Sequence, residues 1–183
     1  GNLVSGGYSS IGAWTAAAVR QYKSPVTFDF RILGPLEVEG DRGAVALGGQ
    51  QQRALLAVLL LEAGRVVATD RLVDLLWGED PPKTATTSLQ NTISRLRREL
   101  GADLLETRAP GYVLRVSPTQ IDAHRFEQQL RDARRAAPEE RRELLVRALG
   151  LWRGPALSEF TFEQFAQSEI RRLEELRLAA LEE

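Results

Sequence analysis

The sequence predicts an α+β winged helix-turn-helix domain followed by an all-α helical domain of the TPR-like, helical-hairpin kind. Three observations lead there. Short extended segments fill residues 28–47, two consecutive amphipathic helices and a Pro-Gly hairpin follow to about residue 117, and helical periodicity dominates everything after Pro118. The chain divides accordingly into an N-terminal tail over 1–27, a winged domain over 28–117 and a helical domain over 118–183.

The first 27 residues are rich in Gly, Ser and Ala and are closed by Pro25, a composition expected of a partly disordered tail. Trp14 with Ala16-Ala17-Ala18-Val19 could form a short docked helix there. Residues 28–33, 36–39 and 44–47 alternate as strands, with Gly34-Pro35 and Gly40-Asp41-Arg42-Gly43 as the turns of a small antiparallel sheet. Gln50 to Ala63 places Leu55, Leu56, Leu59 and Leu60 on one helical face and stops at Gly64; Val66-Val67 is a brief extended link. Thr69 is expected as the N-cap of a helix running to Trp77 and ended by Gly78.

Pro81-Pro82 forbid helix, so the next one starts at about Lys83 or Thr84 and runs to Leu100. It separates into two faces. Ala85, Leu89, Ile93, Leu96 and Leu100 form an apolar stripe, and Thr84, Thr87, Asn91, Ser94, Arg95 and Arg98 lie opposite with no acid among them. A solvated face usually mixes Glu with Lys, whereas hydroxyls, amides and guanidinium groups are what phosphates and base edges accept. Residues 104–107 and 112–116 flank Arg108-Ala109-Pro110-Gly111 as a hairpin, or wing, with Arg108 at its tip: either a DNA contact or an exposed arginine at a bend. The remaining helices are expected over 122–136, 138–151 and from Phe162 onward, with 152–157 as a loop.

Composition narrows the function. There is no cysteine and one histidine, His124, which excludes thiolate or His-cluster metal sites and a cysteine nucleophile. No Gly-rich phosphate loop or nucleophile-base pair is present, so neither an enzyme nor a cofactor is expected. No apolar run reaches membrane-span length, and a cytoplasmic protein with no membrane partner is expected. Net charge is −1, so any affinity for nucleic acid has to be local: Lys83, Arg95, Arg97, Arg98, Arg108 and Arg115 face only Glu99, Asp103 and Glu106 over 83–115. The lack of methionine and a helical pattern running to Glu183 read as a fragment of a longer protein.

Gln51-Gln52-Arg53-Ala54-Leu55-Leu56, Leu75-Leu76-Trp77-Gly78, Ile93-Ser94-Arg95-Leu96-Arg97-Arg98-Glu99-Leu100 and Gly111-Tyr112, in that order after strands, resemble the winged-helix domain of OmpR-type regulators. Asp122-Ala123-His124-Arg125-Phe126 and Leu151-Trp152-Arg153-Gly154-Pro155-Ala156-Leu157 resemble the bacterial transcriptional activator domain. Together they are similar to the Streptomyces antibiotic regulatory protein family. The resemblance implies an activator of a secondary-metabolite gene cluster that binds direct repeats in double-stranded promoter DNA as two head-to-tail copies. It also implies recruitment of RNA polymerase with its sigma factor, and a helical domain extending past Glu183.

The resemblance makes 84–100 the recognition helix. Thr87, Asn91, Ser94 and Arg95 are then the base-reading candidates, and Trp77, Thr84, Arg97 and Arg98 the phosphate contacts. Trp77 has an equal claim as a core aromatic, and Arg97, at the flank of the apolar stripe, as an intradomain partner. Many relatives carry an arginine that enters the minor groove where this chain has Val113, which moves the expected wing contact to Arg108 or Arg115. The rival reading is a helical protein-interaction adaptor whose winged unit docks protein; it calls for exposed apolar residues on the outer face of 84–100.

Overall fold

The computed structural model describes residues 27–183, so the tail and the Trp14 segment lie outside the described residues. Strands β1 (Asp29–Arg31), β2 (Glu37–Gly40) and β3 (Gly43–Ala44) form an antiparallel sheet in that order, with Phe30 opposite Val38. Alternation sets its faces: Phe30, Ile32 and Val38 are buried, while Arg31 bridges Asp29 and Glu39 outside. The third strand lies at Gly43–Ala44 rather than across 44–47, although the Val45 N–H still donates to the Val38 carbonyl at 2.8 Å.

Helix α1 (Gln50–Leu61) buries Leu55, Leu56, Leu59 and Leu60, as the periodicity predicts. The expected link at Val66-Val67 is instead a strand, β4 (Val66–Ala68). It pairs with β6 (Gly111–Leu114), which in turn pairs with β5 (Leu105–Arg108), giving a second antiparallel sheet of order β4-β6-β5. Three residues are too few to show a period of two, but their backbone groups find partners only in a sheet.

Helices α2 (Thr69–Trp77) and α3 (Ala85–Leu100) end at Gly78 and Gly101, both with positive φ, where a side chain would be strained. Thr69 is not the N-cap: Ala68 holds that position, and the Thr69 hydroxyl and N–H both donate to the Pro110 carbonyl, each at 3.2 Å. The apolar stripe of α3 is buried throughout, and Thr92 joins it by donating its hydroxyl to the Ser88 carbonyl.

The helical layer is α4 (Asp122–Ala133), α5 (Pro138–Leu149) and α6 (Gln164–Glu182), with single 3-10 turns at Pro118–Gln120 and Ser158–Phe160. Each helix is two residues or so shorter than its sequence pattern. The core does not stop at residue 117. Phe30, Ile32, Leu33 and Leu36 of the first sheet belong to one buried cluster with the α1 leucines, Phe126, Leu157 and Phe160.

Polar bonds close that junction. The buried Asp122 carboxylate accepts the N–H groups of Ile32 at 2.8 Å, Leu33 at 3.0 Å and Ala123 at 2.8 Å. The carbonyls of the same two residues accept N–H donors from the opposite loop, Leu157 to Ile32 and Arg153 to Leu33, both at 2.8 Å. Glu159 accepts the Leu36 N–H at 2.8 Å and the Arg53 guanidinium at 2.6 and 2.7 Å, while Arg125 reaches Asp29 at 2.7 Å. Burial pushes the Glu159 carboxyl up, but Arg53 and the Leu36 N–H outweigh it and hold it below its ordinary value. At Asp122 burial prevails and the carboxyl is pushed up, against the three N–H groups and Arg153.

Two outcomes follow at this junction. Asp122→Ala leaves the buried N–H groups of Ile32 and Leu33 without an acceptor and should lower stability by about 3 kcal/mol in denaturant unfolding. The contribution of Glu159 is present above its ordinary value of 4.5 and is lost as pH falls through the lower folded value. Glu159→Gln should therefore flatten the acid limb of a melting-temperature profile while lowering neutral stability by about 2 kcal/mol.

Candidate nucleic-acid interface

Helix α3 presents one clean polar face because its other side is fully committed to the core. Ala85, Leu89, Ile93, Leu96 and Leu100 each have 4% exposure or less, which turns Thr87, Asn91, Ser94, Arg95 and Arg98 outward, all exposed. The only acid of the helix, Glu99, lies off that face by about 80° from Asn91 at 100° per residue. Among the described residues no carboxylate pairs with Arg95, Arg98, Lys83 or Arg108, so four cations stand ready for an external anion.

The other candidates are placed differently. Thr84 occupies the N-cap position of α3, exposed, and makes no side-chain cap. Ser94 donates its hydroxyl to the Gln90 carbonyl at 2.9 Å, which leaves it the role of acceptor. Trp77 is half-buried and lines a cleft of about 300 Å³ with Ala54, Leu76 and Phe165, so part of its ring packs on the core.

Arg97 is engaged within the domain. Its Nε donates to the Leu105 carbonyl at 2.8 Å, one terminal nitrogen donates to the Thr107 hydroxyl at 2.8 Å, and the guanidinium lies 5.9 Å from the Tyr112 ring centre. Both strands of the wing are thus tied to α3. Of the two roles open to it from sequence, phosphate contact or intradomain partner, the second is the one these contacts fill: Arg97 bridges α3 and the wing.

On the wing itself Arg108 ends β5 fully in solvent, while Arg115 pairs with Glu106 at 3.0 Å. Val113, in the central strand, is 1% exposed and reaches no groove. Gly111 is held closely: a methyl group there would fall inside the van der Waals surface of the Val67 carbonyl. The signal missed in the sequence was Thr69, read as a cap; Lys83, already counted in the local cationic stretch, is exposed just before α3.

A tri-helical unit with α3 outward, a three-stranded sheet ending in a hairpin and a fused helical layer define a winged-helix transcriptional regulator, a class that acts without catalysis. Family models agree. Residues 44–114 match the C-terminal domain of transcriptional regulatory proteins, and residues 121–183 the bacterial transcriptional activator domain. The chain carries both domains and is similar to transcriptional regulators of the Streptomyces antibiotic regulatory protein type. It is 37% identical to the regulatory protein AfsR of Streptomyces griseus, over 86% of this chain and 17% of that one. Against the regulatory protein DnrI of Streptomyces peucetius the figures are 38%, 82% and 61%, so this chain spans only part of the relatives it matches. A solved structure of Mycobacterium tuberculosis EmbR in complex with a low-affinity phosphopeptide superposes with a TM-score of 0.80 at 33% identity, covering 85% of this chain and 44% of that one.

Gly111→Ala should force β6 away from β4 and loosen the wing; circular dichroism melting should show a loss of about 2 kcal/mol or more, because rigid backbone, not a side-chain end, blocks the new methyl.

Proposed function

We propose that this chain binds double-stranded promoter DNA sequence-specifically, with α3 in the major groove and the wing against the flanking backbone or minor groove. The observation that carries this reading is the exposed, acid-free face of α3 with Arg95 and Arg98 unpaired among the described residues. Thr87, Asn91, Ser94 and Arg95 read bases. Arg98, Thr84 and the exposed part of Trp77 hold phosphates, and Arg108 extends the contact along the wing. A bidentate Asn–adenine or Arg–guanine pair gives roughly 1–3 kcal/mol of discrimination.

In the same reading the protein acts in the cytoplasm as an activator of a secondary-metabolite gene cluster. Two copies sit head to tail on a direct repeat, and RNA polymerase with its sigma factor is recruited. The large apolar side chains left exposed are Val66, Val146, Phe162, Leu178 and Leu181 among the described residues. None is on α3 and four lie in the helical layer, which supports nucleic acid on the winged side and protein on the helical side. The adaptor alternative, with protein docked on α3, lacks the exposed apolar residues it needs there.

Selection from a random duplex pool at two salt concentrations tests this, with enrichment of a direct repeat expected. Folded protein that enriches nothing and binds without salt dependence would overturn it in favour of the adaptor. On the selected site, Arg98→Ala should weaken binding to all duplexes and reduce the slope of log K against log salt by about 0.9. Asn91→Ala should instead cost about tenfold on the cognate site and little on random DNA, erasing preference at one base position.

A further inference from the structure

The wing is an extension of α3 only because something joins them, and the joining groups are few. β5 is an edge strand, hydrogen-bonded on one side to β6. Its other edge meets α3 through Arg97, which takes the Leu105 carbonyl, the Thr107 hydroxyl and the Tyr112 ring. Thr107 and Tyr112 are themselves cross-strand partners, so a single guanidinium grips the hairpin at one rung from both strands. Arg108 is the next residue along β5. On the far side the Thr69 hydroxyl and N–H hold the Pro110 carbonyl at the start of α2. The hairpin is thus fastened on both sides, to α3 and to the start of α2.

We infer that Arg97 is a positioning residue for DNA recognition: it fixes the wing at a set offset from the recognition helix and so places Arg108, rather than meeting phosphate itself. The inference rests on the proposed DNA-binding reading for its consequence, while its mechanical half concerns the free protein alone. Chemistry separates the two roles of Arg97. A phosphate contact needs a positive charge and tolerates lysine; a strut needs two directed N–H bonds and a flat face over Tyr112, which an ammonium group does not reproduce.

The test has two arms. In the free protein, Arg97→Lys and the milder Thr107→Val should speed amide hydrogen exchange across Leu105–Tyr112, with exchange in α1 unchanged. The Thr107 variant removes only one exposed hydroxyl, so it keeps the arm readable should the arginine variants fold poorly. On the selected duplex, Arg97→Lys, Arg97→Ala, Arg108→Ala and the two double variants are compared over a salt series. A strut predicts non-additivity: each single and each double variant lowers the log–log salt slope by the same amount, about 0.9, the loss of one contact. Two independent phosphate contacts predict wild-type binding for Arg97→Lys and a slope lowered by about 1.8 for Arg97→Ala combined with Arg108→Ala. Unchanged wing exchange, or a lysine that restores wild-type affinity, would overturn the inference. Absence of DNA binding by the wild-type chain would instead overturn the proposed function and leave the exchange arm to decide on the strut.

Discussion

A single buried carboxylate holds the molecule together across its length. The chain leaves β1 at Ile32 and Leu33 with backbone donors and acceptors that no strand partner satisfies, in a region with 2% exposure or less. Asp122 supplies the acceptor for both N–H groups, and the loop around Arg153 to Leu157 supplies donors for both carbonyls. Buried backbone groups without partners are costly, so the first sheet folds correctly only with the helical layer in place. The boundary at residue 117, visible as a change of pattern, is a boundary in sequence and not in packing.

Fixing the sheet in this way fixes what lies beneath it. α1 packs against α2, α3 and α6, with Leu55, Leu56, Leu59 and Leu60 all buried, and its Arg53 takes the Leu36 carbonyl and anchors Glu159 of the helical layer. The inward stripe of α3 packs against this helix, and that commitment is what turns Thr87, Asn91, Arg95 and Arg98 outward. The polar face is therefore a by-product of a core whose location is set from the opposite end of the protein.

Much of this was legible in the chain. Helical periodicity located α1, α2, α3 and the three later helices, since each turns apolar residues at helical spacing toward the core. The outward face of α3 followed from the same count. The Val66–Ala68 strand did not, because three residues carry no period and its partner lies more than forty positions away. Thr69 was misread as a cap, and Arg97 was left open between a phosphate and an intradomain partner, for a related reason: local rules assign a threonine before a helix to capping and a surface arginine to an anion, while the partners seen here, Pro110 and Thr107, are set by where the hairpin folds back. The Asp122 clamp joins residues about ninety positions apart and leaves no trace in either segment alone.

The clamp also holds the joint between the two layers from both sides: Ile32 and Leu33 are gripped on N–H and carbonyl alike, with Arg153 reaching on to Pro35 and Glu37. On the proposed DNA-binding reading, a joint held this closely would convert distance along a duplex into angle. Bound to tandem sites, each copy would carry its helical layer at one azimuth, and shifting one site by half of the roughly 10-base-pair turn would swing that layer to the opposite side of the double helix. On the proposed reading, promoter spacing would then be a phase condition, met or missed by a few base pairs.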